Sequence, residues 1–165
     1  MSTLALLLVF LTGMLPVAEV RGAIPLAFAL LRDNPQQLLL GIILGVAGNM
    51  IVAPILIPLL SFIERKVLNS SGKLRLLRAI YERGVAVARR KAKSLKAGGY
   101  IALSVFVAVP LPVTGAWTAS LIAHILGMDK RKAVLAIEAG VATASLVVFT
   151  ATYLGVEVLK RLLAL

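Results

Sequence analysis

Residues 38–63 contain no Asp, Glu, Lys or Arg over 26 positions. As a helix rising 1.5 Å per residue, that stretch covers about 39 Å, enough to cross a hydrocarbon layer of roughly 30 Å with tilt or a bend. A segment of this kind sets the solvent for the rest of the chain. Sixty per cent of the 165 residues are apolar and 15% are charged, a balance that belongs to an integral membrane protein rather than a soluble domain. The length fits one membrane domain over residues 1–165. Pro54 and Pro58 each remove a backbone donor and are expected to bend the second half of the span. Gly41, Gly45 and Gly48 share one helical face, which suits close packing inside the chain or a homodimer. Asn49, the lone amide there, reads as a packing hydrogen bond or a substrate contact.

Ala133 to Leu159 is a second spanning candidate and carries Glu138 near one end. The remaining apolar runs are too short to cross alone. Thr3 to Leu15 has 13 residues, about 20 Å of helix, and lacks the basic flank and good cleavage site of a signal peptide. Ala23 to Leu31 follows it after Pro16 and Gly22. Ile101 to Val109 and Ala116 to Leu126 repeat the plan around "PLPVTGAW", where Pro110 and Pro112 forbid a continuous helix and Thr114 can cap the second arm. Each pair reads as a re-entrant hairpin, with Pro16 and Pro25 marking the first break and Pro110 and Pro112 the second. Non-helical backbone at such depth must be buried in protein or line a wet cavity.

The fold expected is therefore all-α. Two re-entrant helical hairpins, each followed by a transmembrane helix, fill residues 3–63 and 100–162, and a basic amphipathic helix joins them across residues 64–99. Eleven of the 18 Lys and Arg residues lie between Arg65 and Lys96, with apolar residues from Leu74 to Leu95 at spacings of three and four. In a membrane protein that excess marks a cytoplasmic, headgroup-facing segment rather than a nucleic-acid site. Lys130, Arg131 and Lys132 mark the same side. The two halves are then inverted, an arrangement that places a transporter's site at the repeat interface. The localisation expected is the plasma membrane of a prokaryote, multi-pass, with the basic segment 65–96 on the cytoplasmic side.

The chemistry expected follows from the hairpin tips. Second arms starting at Pro16 to Gly22 and at Thr114–Gly115 aim helix N-termini into the membrane, where free amides and a partial positive charge favour an anion. Arg21 adds a fork suited to phosphate or carboxylate, and Trp117 could stack on a ligand. Glu19 in a poorly hydrated cavity can carry a proton, with Glu138 as a second candidate on that path. Alternatively, Glu19 and Arg21 neutralise one another through the tertiary fold. His124 reads as packed or interfacial. With one histidine and no cysteine no metal cluster, thiol chemistry or cofactor is called for, and no nucleophile and base pair points to an enzyme.

At "EVRGAIP" (Glu19 to Pro25) and "PLPVTGAW" (Pro110 to Trp117) the sequence resembles the putative small multidrug export protein family, itself distantly similar to the DedA membrane proteins. The resemblance runs over essentially the whole chain, and Glu19, Arg21, Pro25, Pro110, Pro112 and Thr114 match its motif positions. It implies a membrane transporter. The DedA relatives imply movement of polyprenyl phosphate or phospholipid, coupled or sensitive to protons, although the second tip here has neither arginine nor acid. The expected function is translocation of an amphipathic anion such as a lipid phosphate through membrane lipids. The alternatives are export of small cationic drugs, with Glu19 or Glu138 as counter-ion, and a scaffold without transport.

Overall fold

The computed structural model describes residues 2–68, 98–111 and 114–163. Most of the basic joining segment and the Pro112 break lie outside the described residues. All regular structure among those described is α-helical. Helix α1 spans Ser2–Met14, α2 Glu19–Leu31, α3 Pro35–Met50, α4 Val52–Leu68, α5 Gly99–Ala108, α6 Ala116–Ile125 and α7 Lys130–Leu163.

Helix α3 begins where turn chemistry dictates. The Asn34 side chain accepts from the Gln36 and Gln37 amides at 3.1 and 3.2 Å, and Pro35 sits at the first helical position, where no amide is needed. The expected span over 38–63 is two helices rather than one, parted at Ile51. Pro54 cannot donate to the carbonyl of Met50, so the ladder stops one residue later and restarts at Val52. Taken together, 35–65 is still a 31-residue apolar run long enough to cross a membrane, and 130–158 is a second of 29 residues. Helix α4 then continues through Pro58. Pro25 likewise lies inside α2 rather than at a break; what it removes is the donor that would have met the Arg21 carbonyl.

Packing divides the chain into two layers sharing α3 and α7. Helices α1 and α2 lie against each other and against α3, while α5 packs on α7 and α6 on α4 and α7. The α3 glycine face is consumed in the first layer. A side chain at Gly41 would meet Leu31 and Ala27, one at Gly45 would meet Ala23 and Val9, and one at Gly48 would run into the Phe10 carbonyl. Of the two readings of that face, close packing inside the chain is the one these contacts match, because the short arms approach α3 too closely for any Cβ. Outward, Leu4, Leu7, Leu8, Leu11, Leu39 and Ile43 are all more than 40% exposed. Such an apolar perimeter is stable only against hydrocarbon or a partner.

Candidate functional site

The tip of the first hairpin turns through Leu15–Ala18, and α2 opens at Glu19 with a left-handed backbone, φ 49°. A non-glycine residue rarely adopts that conformation, and holding it there costs roughly 1 kcal/mol or more. Its effect is visible across the tip. The Glu19 carboxylate leaves its own helix and lodges at the N-terminus of α6, where the Ala116 and Trp117 amides face it, the latter at 3.5 Å from Oε1. Gly115 is what admits it, since a Cβ there would coincide with the carboxylate.

Glu19 therefore fills the role that sequence assigned to Thr114. Helix α6 has no cap from its preceding residue, because the Thr114 hydroxyl points back to the carbonyls of Val109 and Leu111, at 2.8 and 2.7 Å. Both carbonyls also accept a backbone amide, Val109 from Leu111 at 2.8 Å and Leu111 from Thr114 at 3.3 Å, so the hydroxyl ties down a turn in which Pro110 offers no amide of its own. The same oxygen accepts from Arg21 Nη2 at 3.1 Å, and Nη2 lies 3.8 Å from Glu19 Oε2. Glu19 and Arg21, two residues apart on one helix, meet only because the strained first residue swings the carboxylate aside. The Trp117 indole completes the exchange by donating to the Met14 carbonyl at 3.0 Å, an orphan acceptor at the end of α1. Each hairpin thus caps a helix end of the other.

Three buried polar atoms at this depth have no hydrogen-bond partner among the described residues: Arg21 Nε, Asn49 Oδ1 and Glu138 Oε1. Their common level follows from helix register. Gly41 faces Ala27 and Gly45 faces Ala23, so one further turn sets Asn49 opposite Glu19. The Phe28 and Phe149 rings lie 5.9 Å apart, and nine residues back along each helix brings Glu19 level with about Gly140, two positions from Glu138. Asn49 is 1% exposed and Glu19 2%, so both polar side chains lie in the protein interior.

At the start of α2 the Gly22 amide is bonded to the Ala18 carbonyl at 2.9 Å and the Glu19 amide to that of Leu15 at 3.1 Å. Gly22 is the fourth residue of α2, whereas Gly115 precedes α6, so the two are not equivalent in structure. Sequence reasoning missed one pair: His124 Nε2 lies 3.2 Å from Glu64 Oε2, joining the end of α6 to α4. Among the described residues no three His, Asp or Glu side chains gather as a metal site requires.

Residues 19–147 match the family described as Putative small multi-drug export protein. The chain belongs to that family. The matched region starts at the carboxylate that caps α6, just after the Leu15–Ala18 turn, and takes in the second hairpin tip. Family membership and the two long apolar helices make this a membrane protein of transporter-like class. No curated protein and no solved structure matches the chain.

Proposed function

We propose that the chain is a proton-coupled transporter of an amphipathic anion, a lipid phosphate in the first place, with the contact between the two hairpin tips as its gate. The observation that carries this reading is the position of the Glu19 carboxylate, on the N-terminus of α6 and 3.8 Å from Arg21. An arginine and a helix N-terminus converge there, balanced by one carboxylate. Neutralising that carboxylate with a proton leaves a net positive seat. A substrate phosphate then takes the α6 amides and the Arg21 guanidinium, whose Nε already lacks a partner. Loss of the proton returns Glu19 and expels the anion. Binding and release need no covalent step, so the chain works as a translocase rather than an enzyme, and Asn49 and Trp117 line the same passage.

This reading takes the hairpins as re-entrant and the halves 3–63 and 100–162 as inverted repeats meeting at the membrane midplane. It places the basic segment and Lys130–Lys132 on the cytoplasmic side of a prokaryotic plasma membrane, and keeps a distant kinship with the DedA proteins. One observation favours a second reading: among the described residues Glu138 has no ion pair and its Oε1 has no hydrogen-bond partner, and such an acid suits a cationic drug as counter-ion.

Flipping of labelled lipids in proteoliposomes separates the two. Polyprenyl phosphate, an anionic phospholipid and a cationic dye are each followed with wild type, Arg21→Ala and Glu138→Gln. Movement of the phosphate lipid that falls at least tenfold in Arg21→Ala supports anion translocation; losing one charge-assisted contact, worth ~1.5–3 kcal/mol, sets that scale. Movement of the dye alone, dependent on Glu138 and indifferent to Arg21, overturns it.

A further inference from the structure

A second feature lies away from the hairpin tips. Between α4 and the first turns of α7 runs an open groove of about 470 Å³, lined by Pro54, Ile57, Pro58, Val134, Leu135, Lys130 and Arg131. The volume is within the range of small-molecule sites. Its polarity is ordered: two exposed bases stand at one end, and one helical turn further along α7 the walls are wholly apolar, with Leu135 70% exposed. Neither base has an ion pair among the described residues, the neighbouring acid Asp129 being engaged with the Lys132 amide at 3.0 Å.

We propose that this groove holds one anionic glycerophospholipid, its phosphate on Lys130 and Arg131 and the start of an acyl chain along Pro54, Ile57 and Leu135. The step from charge to hydrocarbon within about 5.4 Å of helix matches the step from headgroup to acyl chain in a leaflet. A free anion has no use for the apolar wall, and an uncharged tail has none for the bases. The chain's own segment 65–96 carries eleven bases, charge of the same sign as the two already there, and like charges do not pair. The site rests on the membrane reading alone and does not require transport.

Native mass spectrometry of the full chain in detergent, titrated with phosphatidylglycerol or phosphatidylcholine, tests it. Wild type is expected to retain phosphatidylglycerol at least tenfold better, since each base near an anionic headgroup is worth about 1 kcal/mol. Lys130→Gln with Arg131→Gln brings the two lipids to parity, and Leu135→Trp, which fills the groove, lowers retention of both. Leu146→Trp, equally exposed on α7 but outside the groove, leaves binding unchanged and controls for folding. Equal phosphatidylglycerol retention in wild type and the double variant overturns the proposal. So does full displacement of the lipid by inorganic phosphate, or retention untouched by Leu135→Trp. A groove that fails this test leaves the lipid-flipping result standing, and the reverse holds as well.

Discussion

The first hairpin closes in four residues, Leu15–Ala18, and its arms pack along each other and on α3; in the second, α5 and α6 part at the Val109–Pro110–Leu111 segment, and α6 leans on α4 instead of its own partner. The two have the same order of elements and opposite internal economies. At the start of α2 the Glu19 and Gly22 amides are bonded to the preceding turn of their own chain segment, whereas among the described residues the Ala116 and Trp117 amides of α6 face Glu19 from across the interface. Self-contained elements stay put, and elements completed by a neighbour can be released. The second tip is therefore the side expected to move.

The largest effect expected on this contrast is at Gly115. Gly115→Ala forces the carboxylate out and should lower stability by roughly 2–4 kcal/mol, from overpacking together with the loss of a cap. Gly22→Ala meets only Ala18 and Thr12 side chains at 2.9 and 3.2 Å and should cost about 1 kcal/mol, so thermal melting of the two variants in detergent must separate. Similar melting temperatures would break the asymmetry between the tips. Next comes Glu19→Ala, which strands a partly buried Arg21 and uncaps α6, for about 2–3 kcal/mol. Glu19→Gln keeps an acceptor for the Trp117 amide and should recover half or more of that loss. Trp117→Phe removes one neutral hydrogen bond to the Met14 carbonyl, about 1 kcal/mol, and should fray the last turn of α1 in hydrogen exchange without altering α5. Smallest is Thr114→Ser, which keeps the hydroxyl and should stay within about 0.5 kcal/mol of wild type.

Much of the architecture was legible because membrane length and proline placement are local rules. The apolar runs and the turn at Asn34–Pro35 set where helices begin and end, and the two spans follow from residue counts. What could not be read was tertiary. Glu19 and Arg21 are spaced to avoid one another on a helix, and only a left-handed first residue brings them together. Thr114 has the sequence of a cap, but its hydroxyl turns back to the Val109 and Leu111 carbonyls of its own turn. Gly22 and Gly115 each stand at the start of a second arm in the sequence, yet one packs inside a helix and the other opens room for a carboxylate 96 positions away. The break at Ile51 was nearer to hand, since Pro54 fixes it once the missing Met50 bond is counted. His124 and Glu64 carried no joint signal, lying 60 residues apart.

The central claim is that charge on Glu19 holds the two tips together. The chain has no cysteine, so spin labels can be placed through Val17→Cys, 91% exposed at the first tip, and Leu111→Cys, 56% exposed at the second. Pulsed electron resonance in lipid nanodiscs then reads the distance between them at neutral pH. The account predicts one narrow distribution with Glu19 intact and a second, longer population when Glu19→Gln stands for the protonated acid. A single unchanged distribution in both, in protein that remains folded, would contradict it.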